Sequence, residues 1–342
     1  VASQVEVAAM RRALALAVTP GVPAGPNPRV GCVLISARGE TLAEGYHRGA
    51  GTPHAEVDAL RRAGSTATGA TAVVTLEPCA HSGRTGPCTE ELLAAGVTRV
   101  VFGQSDTNPV AAGGGDRLRE AGVDVEGGVL DDQARAVNAV WTFAVEHRRP
   151  FVTWKVASSL DGRVAAADGS SRWITSQPAR ADVHRLRADV DAVVVGTGTA
   201  LADDPSLTVR DAAGEVSGRQ PLRVVVGLRD LPAGSRLRDG AAPLLQLRTR
   251  DVPEVLGSLF ARDVQHVLLE GGPTLAGAFL ECGAVDEVVA YVAPLVIGRG
   301  PSMVDLPSAG SLPDAIGLHI DSVTPVGPDV RITFSLKPQE AS

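Results

Sequence analysis

Lysine is nearly missing from this chain: of 32 basic residues only Lys155 and Lys337 are lysines. Cysteine is scarce too, with Cys32, Cys79, Cys88 and Cys282 the only four. That is too few for a disulfide framework, which argues against a small secreted scaffold. No stretch approaches the ~20 consecutive apolar residues of a membrane span. The segment Arg11–Val18 mimics a signal peptide, but its apolar run is short. Val5, Ala8, Ala9, Arg12 and Leu16 read equally well as part of an amphipathic first helix. Basic excess is absent as well. A net charge of −7 gives no electrostatic footprint for nucleic acid. The absences leave a cytoplasmic protein with a small-molecule partner, no nucleic-acid partner and no membrane partner, and they are compatible with a homo-oligomer. With 342 residues, 44% of them hydrophobic, the chain is long enough for about two domains, each with its own core.

What is present starts with His54-Ala55-Glu56, followed by Pro78-Cys79 and then Cys88. One histidine and two cysteines can hold one zinc ion and leave its fourth position open, as catalytic rather than structural sites do. Zinc in such a site acidifies water to a pKa near ~7. Glu56 is not needed as a ligand and is free to move protons. This H-x-E with a downstream P-C…C is the signature of zinc base deaminases, whose glutamate is the general acid/base. Eight residues, Ala80 to Pro87, separate the cysteines here instead of the usual two. The competing view is a helix that carries His54 and Glu56 by chance near two unrelated thiols. Cys32 and Cys282 lie in apolar stretches and read as small buried hydrophobes.

The run Thr75-Leu76-Glu77-Pro78-Cys79-Ala80-His81-Ser82-Gly83-Arg84-Thr85-Gly86-Pro87-Cys88 is specific, as is Pro26-Asn27-Pro28-Arg29-Val30-Gly31-Cys32 upstream. Here the chain resembles the bifunctional deaminase/reductase family of riboflavin biosynthesis, in which the long insert between the cysteines is normal. Thr107 stands where that family leads one to expect proline before Asn108-Pro109. It reads as a harmless change of turn.

The first half alternates strand and helix. Strands are expected at 30–35, 41–46, 70–76 and 99–103, with helices at about 54–63, 88–95, 116–121 and 131–147. Glu146-His147-Arg148-Arg149-Pro150 is polar and ends in proline, which places a boundary there. A second series of strands follows from Phe151, at 151–157, 192–195, 222–226, 264–269, 285–292 and 331–336, with a surface loop at 211–219. The expected fold is α/β throughout, with domains at 1–148 and 151–342.

In the second half, Val193-Val194-Val195-Gly196-Thr197-Gly198-Thr199-Ala200 is a strand entering a glycine turn, a weak signal alone. Stronger is Val267-Leu268-Leu269-Glu270-Gly271-Gly272-Pro273-Thr274-Leu275, where a strand meets two glycines and Pro273 opens a helix to about Glu281. The free N–H groups of such a helix start suit a pyrophosphate; a tight structural corner is the alternative. Lys155 lies mid-strand between Trp154 and Val156, where an ammonium needs a partner. A lysine that snorkels to water is the competing view.

Lys155–Gly162, Ser171–Ser176, Leu201–Pro205 and Glu270–Thr274 extend the resemblance to the family's reductase half. The resemblance implies a cytidine-deaminase-like three-layer αβα domain followed by a dihydrofolate-reductase-like α/β domain. It implies one Zn²⁺ per chain, held by His54, Cys79 and Cys88, with Glu56 catalytic, and NADPH in the second domain. Matched position by position, Ala157, Trp173, Thr199, Asp203 and the turn Gly272, Pro273, Thr274, Leu275, Ala276, Gly277 and Ala278 would contact the cofactor. Ser171, Arg187, Leu207, Arg210 and Glu270 would contact the substrate. Lys155, on its rarity and mid-strand place, is expected to help hold the opened sugar chain or its hydroxyls near the nicotinamide. Arg187 and Arg210 would clamp a ribose phosphate, since guanidinium forks match phosphate oxygens. Gly227-Leu228 stands where a polar cofactor contact is expected, and Arg229 could serve the 2′-phosphate instead. The implied substrate is the pyrimidine ribotide 2,5-diamino-6-ribosylamino-4(3H)-pyrimidinone 5′-phosphate, deaminated first and then reduced from ribosyl to ribityl. Two rivals remain at this point. One is a deaminase whose second half is a nucleotide-binding regulatory module. The other is a non-enzymatic zinc protein with His81 as fourth ligand.

Overall fold

The computed structural model describes residues 1–22, 25–81 and 86–336, and the chain divides into two compact units, Val1–Arg148 and Arg149–Ser342. Part of the run between the cysteines, Ser82 to Thr85, and Lys337 lie outside the described residues.

The first unit contains α1 (Gln4–Ala17), β1 (Gly31–Ile35), β2 (Thr41–Tyr46), α2 (Ala55–Ala63), β3 (Thr71–Leu76), α3 (Cys88–Ala94), β4 (Arg99–Gln104), α4 (Gly114–Glu120), β5 (Asp124–Glu126), α5 (Asp131–Val137) and α6 (Ala139–His147). Its sheet runs β2-β1-β3-β4-β5, with β1 antiparallel to both neighbours and β3, β4 and β5 parallel. The alternation of side chains along each strand builds two cores. Cys32, Leu34, Val74 and Val100 face α2, α3 and α4 through Ala59, Leu60, Leu92 and Leu118. Val33, Ile35, Val73 and Val101 face α1 and α5 through Met10, Ala13 and Ala134. The result is a three-layer αβα unit.

Three local expectations change. The helix expected over 131–147 is two helices that meet at Asn138. The Asn138 side chain is spent on the backbone of Arg29, accepting from its N–H at 2.8 Å and donating to its carbonyl at 3.0 Å. The buried face of α1 is Glu6, Ala9, Met10, Ala13, Leu14 and Ala17, while Val5 is exposed. Glu6 can be inside because it caps Ser3 and pairs with Arg99 at 2.6 Å. Cys32 is buried, but Cys282 is exposed at the end of a helix of the second unit.

Two close approaches place the elements that carry the zinc signature. A Cβ at Gly45 of β2 would lie 2.3 Å from the carbonyl of Ala55, so α2 sits directly on the strand. A Cβ at Gly114 would lie 1.7 Å from the carbonyl of Pro78, which seats α4 against the residue before Cys79.

The second unit contains β6 (Phe151–Ser159), α7 (Gln177–Asp189), β7 (Ala192–Gly196), α8 (Thr197–Asp203), β8 (Leu222–Val226), β9 (Leu244–Leu247), α9 (Val252–Phe260), β10 (His266–Leu269), α10 (Pro273–Glu281), β11 (Glu287–Ala293), β12 (Leu318–Val326) and β13 (Asp329–Leu336). The sheet order is β12-β13-β11-β6-β10-β7-β8-β9. The strands from β11 to β9 are parallel, and β13 and β12 are added antiparallel. One face, with Val152, Trp154, Val194 and Leu269, packs on α9 and α10. The other carries Val193, Val195 and Leu268 beneath Ala200 of α8, and Val289 and Tyr291 beneath Ala179 and Val183 of α7. Strands β9 and β12 have no counterpart among the expected strands. β12 is an edge strand exposed on both faces and contains Pro325, so no period-2 burial pattern marks it.

Arg223 of β8 is fully buried. Its guanidinium donates to the carbonyls of Ser206, Arg236 and Ala242 and to the Asp239 carboxylate at 3.0 Å. It thereby anchors the segment from Asp204 to Arg210, where Asp204 and Leu207 adopt positive φ (40° and 51°). Arg223→Met leaves three carbonyls without their donor and is expected to cost ~3 kcal/mol or more. A lowered urea midpoint for unfolding measures this; an unchanged midpoint contradicts it.

Candidate active sites

In the first unit, β3 and β4 end side by side, and the segments that leave them line one site. His54 occupies the N-cap of α2, and Cys88 is the first residue of α3. His54 Nδ1 lies 3.1 Å from Cys88 Sγ and 3.6 Å from Cys79 Sγ. The three donor atoms all fall within 4.8 Å of one another. One nitrogen and two sulfurs at such separations match tetrahedral zinc, with bonds of ~2.0–2.3 Å. The Cys79 thiol is held down to about 4, first by a hydrogen bond from Cys88, against burial, and then by His54. The same hydrogen bond and burial push the Cys88 thiol up, so of the two sulfurs Cys79 is the one already held in the thiolate state a metal ligand needs. Among the described residues His81 does not join this cluster, and its Nδ1 is buried without a hydrogen-bond partner.

Glu56 follows one residue into α2, is 4% exposed and borders Cys88. Burial pushes its carboxyl upward, partly offset by His54. No cation forms a salt bridge with it among the described residues. A desolvated carboxyl without an ion-pair partner, next to a metal site, suits proton transfer.

Sequence reasoning missed several polar neighbours of this site. His47 is buried edge-on to His54, with ring centroids 5.4 Å apart. Its Nδ1 lies 3.0 Å from the Pro53 carbonyl and its Nε2 3.0 Å from Asn27 Nδ2, which fixes the proton on Nδ1. Asp106 is pushed up to about 6 by burial, with Glu77 and Cys79 adding to it. Neighbouring Thr107, read as a harmless turn change, has a buried hydroxyl without a partner. The segments that hold Asn27 and Asp106 could be quoted from sequence, but only the sheet order brings them to the zinc ligands.

In the second unit the parallel strands end together, the usual place for a ligand in such sheets. β6 pairs with β10 so that Trp154 is level with Leu269, which puts Lys155 beside Glu270. Lys155 Nζ lies 3.8 Å from Glu270 Oε2. Arg187 of α7 holds the same carboxylate in a fork, with Nε–Oε1 2.6 Å and Nη2–Oε2 3.0 Å. Burial works to raise the Glu270 carboxyl, but Arg187 and Lys155 outweigh it and hold it at about 2. Lys155 is lowered, by burial first and then by Arg187. It is therefore a partnered, half-buried ammonium rather than a snorkelling one.

The glycine turns converge here too. A Cβ on Gly272 would lie 3.4 Å from Thr199 Oγ1, and one on Gly198 3.6 Å from an Arg229 guanidinium nitrogen. α10 starts at Pro273 with Gly272 as its N-cap and has no side-chain cap; Leu275 and Ala276 already donate to the Gly272 carbonyl, which leaves the Thr274 N–H of the first turn open to a phosphate. The seven residues expected to contact the cofactor from this turn differ in exposure. Ala276 is fully buried in the core, and Gly277 lies against the backbone of Asp305, where a Cβ would come within 1.7 Å of its carbonyl. The accessible part of the turn is Gly272 to Leu275, with Ala278 half-buried.

The other expected contacts are spread around this end of the sheet. Trp173 is 66% exposed and stacks under the Arg180 guanidinium at 4.4 Å. Asp203 is exposed at the end of α8, and its carbonyl accepts from Arg172. Ser171 is half-buried. Ala157 is half-buried against the α7 side of the sheet. Leu207 is core, packed with Val193 and Val225, so only its backbone can meet a substrate. Arg210 donates to the Gly214 carbonyl at 2.6 Å. Of the two residues expected to clamp the phosphate, Arg187 already forks onto Glu270 through Nε and Nη2.

A family profile for the cytidine and deoxycytidylate deaminase zinc-binding region matches residues 3–104, and the RibD C-terminal domain matches residues 150–332. The riboflavin biosynthesis protein RibD of Mycobacterium tuberculosis is 48% identical over 310 residues, 90% of this chain and 91% of the relative. The chain belongs to the RibD family. RibD of Escherichia coli is 40% identical over 94% of this chain and 96% of its own length. Among solved structures, Acinetobacter baumannii RibD superposes with a TM-score of 0.90 at 37% identity, covering 98% of this chain and 99% of that one. A Thermotoga maritima diaminohydroxyphosphoribosylaminopyrimidine deaminase/5-amino-6-(5-phosphoribosylamino)uracil reductase gives 0.87 at 31% identity, covering 97% and 99%. As a RibD the chain is a bifunctional enzyme of riboflavin biosynthesis, with a zinc-dependent deaminase part and an NADPH-dependent reductase part acting on a small molecule. The cytidine-deaminase-like and dihydrofolate-reductase-like folds expected from sequence are both present. No described helix is long and apolar enough to cross a membrane.

Proposed function

We propose that residues 1–148 deaminate 2,5-diamino-6-ribosylamino-4(3H)-pyrimidinone 5′-phosphate and that residues 151–342 reduce the ribosyl group of the product to ribityl. The observation that carries the first step is the buried Glu56 carboxyl, in no salt bridge among the described residues, beside the His54, Cys79 and Cys88 donors. Zinc, held by those three residues, supplies a water activated for attack at neutral pH. Glu56 takes a proton from the attacking water and returns protons to the ring nitrogen and the departing amine, so that ammonia leaves. Asn27, His47 and Asp106 surround the ligands and offer the pyrimidine its polar contacts. Desolvation inside this cluster strengthens each of them.

In the reductase part NADPH supplies the hydride, and the chain supplies position and electrostatics. Thr199, Arg229 and the turn from Gly272 to Leu275 would hold the cofactor's phosphates, and Trp173 and Asp203 would also contact it. Lys155 presents its ammonium to the sugar oxygens, kept in place by Glu270, which Arg187 in turn keeps ionised. Ser171, Arg210 and the backbone at Leu207 complete the substrate contacts. Thiolate ligands favour a reducing compartment, and we place the protein in the cytoplasm on that ground.

Cys79→Ser and Cys88→Ser test the assignment of the two steps. Each is expected to lose zinc and deamination and to keep NADPH oxidation on the deaminated ribotide. Loss of both activities in a folded variant counts against two separate sites. Failure of the parent enzyme to oxidise NADPH would favour a regulatory second half instead.

A further inference from the structure

Arg187 spends Nε and one Nη2 donor on Glu270, so a neighbouring cation would strengthen the hold on the substrate's phosphate. His184 stands one helical turn before Arg187 on α7, so both side chains leave the same face. The two meet on one acceptor: the Thr208 carbonyl receives His184 Nδ1 at 3.0 Å and Arg187 Nη1 at 3.2 Å. Thr208 in turn lies two residues before Arg210 in the segment that Arg223 anchors through Ser206. The hydrogen bond to a carbonyl places a proton on Nδ1 and fixes the ring. Nε2 is left without a hydrogen bond among the described residues, a lone pair when neutral and a donor when protonated.

We propose that His184 is a substrate-binding residue of the reductase site that, with Arg210, holds the ribotide's 5′-phosphate and takes up a proton when the phosphate binds. This rests on the reading of the second unit as the ribotide reductase. The charged groups that act on the ring are Arg187 on its own helix, Glu270 at the end of β10 and Arg210 in the anchored segment. Burial lowers the His184 pKa, and Arg187 and Arg210 lower it further, while Thr208 and Glu270 oppose them. The free site therefore keeps His184 neutral at neutral pH. A phosphate dianion cancels the field of Arg210 and raises the ring's pKa, so binding draws in a proton. By linkage, affinity for the phosphate rises as pH falls through the region between the free and bound pKa values.

The test compares the zinc- and NADPH-loaded parent with His184→Asn, whose amide can keep the Thr208 bond but cannot carry charge. Substrates are the deaminated ribotide and its dephosphorylated riboside, assayed between pH 6 and 8. A charge-assisted hydrogen bond corresponds to ~10-fold in KM. The expected result is a KM for the ribotide raised ~10-fold at the acid end, an unchanged kcat, and no change with the riboside. The parent's KM should fall towards acid pH more than the phosphate's own titration explains, and the variant should retain only that titration. An equal effect on ribotide and riboside, or an unchanged ribotide KM, overturns the proposal. Calorimetry with inorganic phosphate in two buffers of different ionisation enthalpy gives a readout without turnover. Proton uptake in the parent and its loss in His184→Asn support the site; uptake that persists in the variant overturns it. Absence of reduction by the parent would instead sink the reductase reading, and the calorimetry still decides on His184.

Discussion

Glu56→Gln is expected to bind one zinc per chain, fold as the parent does, and deaminate at least ~10²-fold more slowly, the loss typical of a removed general acid/base. The ligand set explains why zinc should stay. His54, Cys79 and Cys88 bring their donor atoms within 4.8 Å of one another without any help from the glutamate. Glutamine preserves the shape of a side chain that is 4% exposed, so packing of α2 on β2 should survive. What it removes is the buried carboxyl that follows His54 into α2. Reduction of the deaminated ribotide should be untouched, because Glu56 belongs to the first compact unit and the reductase residues to the second. Zinc content by metal analysis, together with single-turnover ammonia release, is the measurement. Loss of zinc would make Glu56 a ligand and overturn the mechanism; an unchanged rate would remove it from the chemistry.

Lys155→Met is expected to depress reduction ~10²-fold, the scale of a reacting centre misplaced by about 1 Å, while sparing deamination and changing NADPH affinity little. Most of the proposed cofactor contacts lie in the turns after β7 and β10, whereas Lys155 is within β6 and its ammonium is 3.8 Å from Glu270. Lys155→Arg should fail as well. Arg187 already occupies both oxygens of the Glu270 carboxylate, so a second planar fork has no acceptor there and is bulkier than the ammonium it replaces. Glu270 itself should stay ionised in Lys155→Met, because Arg187 remains; a collapse of the site is not the expected cause of lost activity. Single-turnover NADPH oxidation, with cofactor binding by fluorescence, separates rate from affinity. Reduction by Lys155→Arg at the parent's rate would make the lysine a structural accident and remove the meaning from its rarity.

Much of this protein could be read before any coordinates. The zinc ligands and Glu56 are legible because the chemistry demands particular atoms: thiolates and imidazole for the metal, and a carboxylate two residues on. Lys155 stood out because the chain uses arginine almost everywhere else. The glycine turn before α10 was legible because a strand that meets Gly271-Gly272-Pro273 can do little but turn and start a helix. These are local facts, carried by residue identity and spacing over a few positions.

Other features had no local trace. β12 is exposed on both faces, so it carries no burial rhythm, and the break at Asn138 depends on a backbone over a hundred residues away. The core position of Ala276 and Gly277 comes from packing of α10, which turns half of any helix away from a ligand. Above all, sequence could name Arg187 and Glu270 but not that they bind each other. Their pairing joins α7 to the residue after β10, and His184 of the same helix meets the Thr208 carbonyl that Arg187 also reaches. The sequence by itself determined which chemistries the chain can perform, because reactive groups are a matter of composition and spacing. Which of those groups face one another was decided only by the tertiary structure, because contacts between strands and helices distant in sequence depend on sheet order and helix packing.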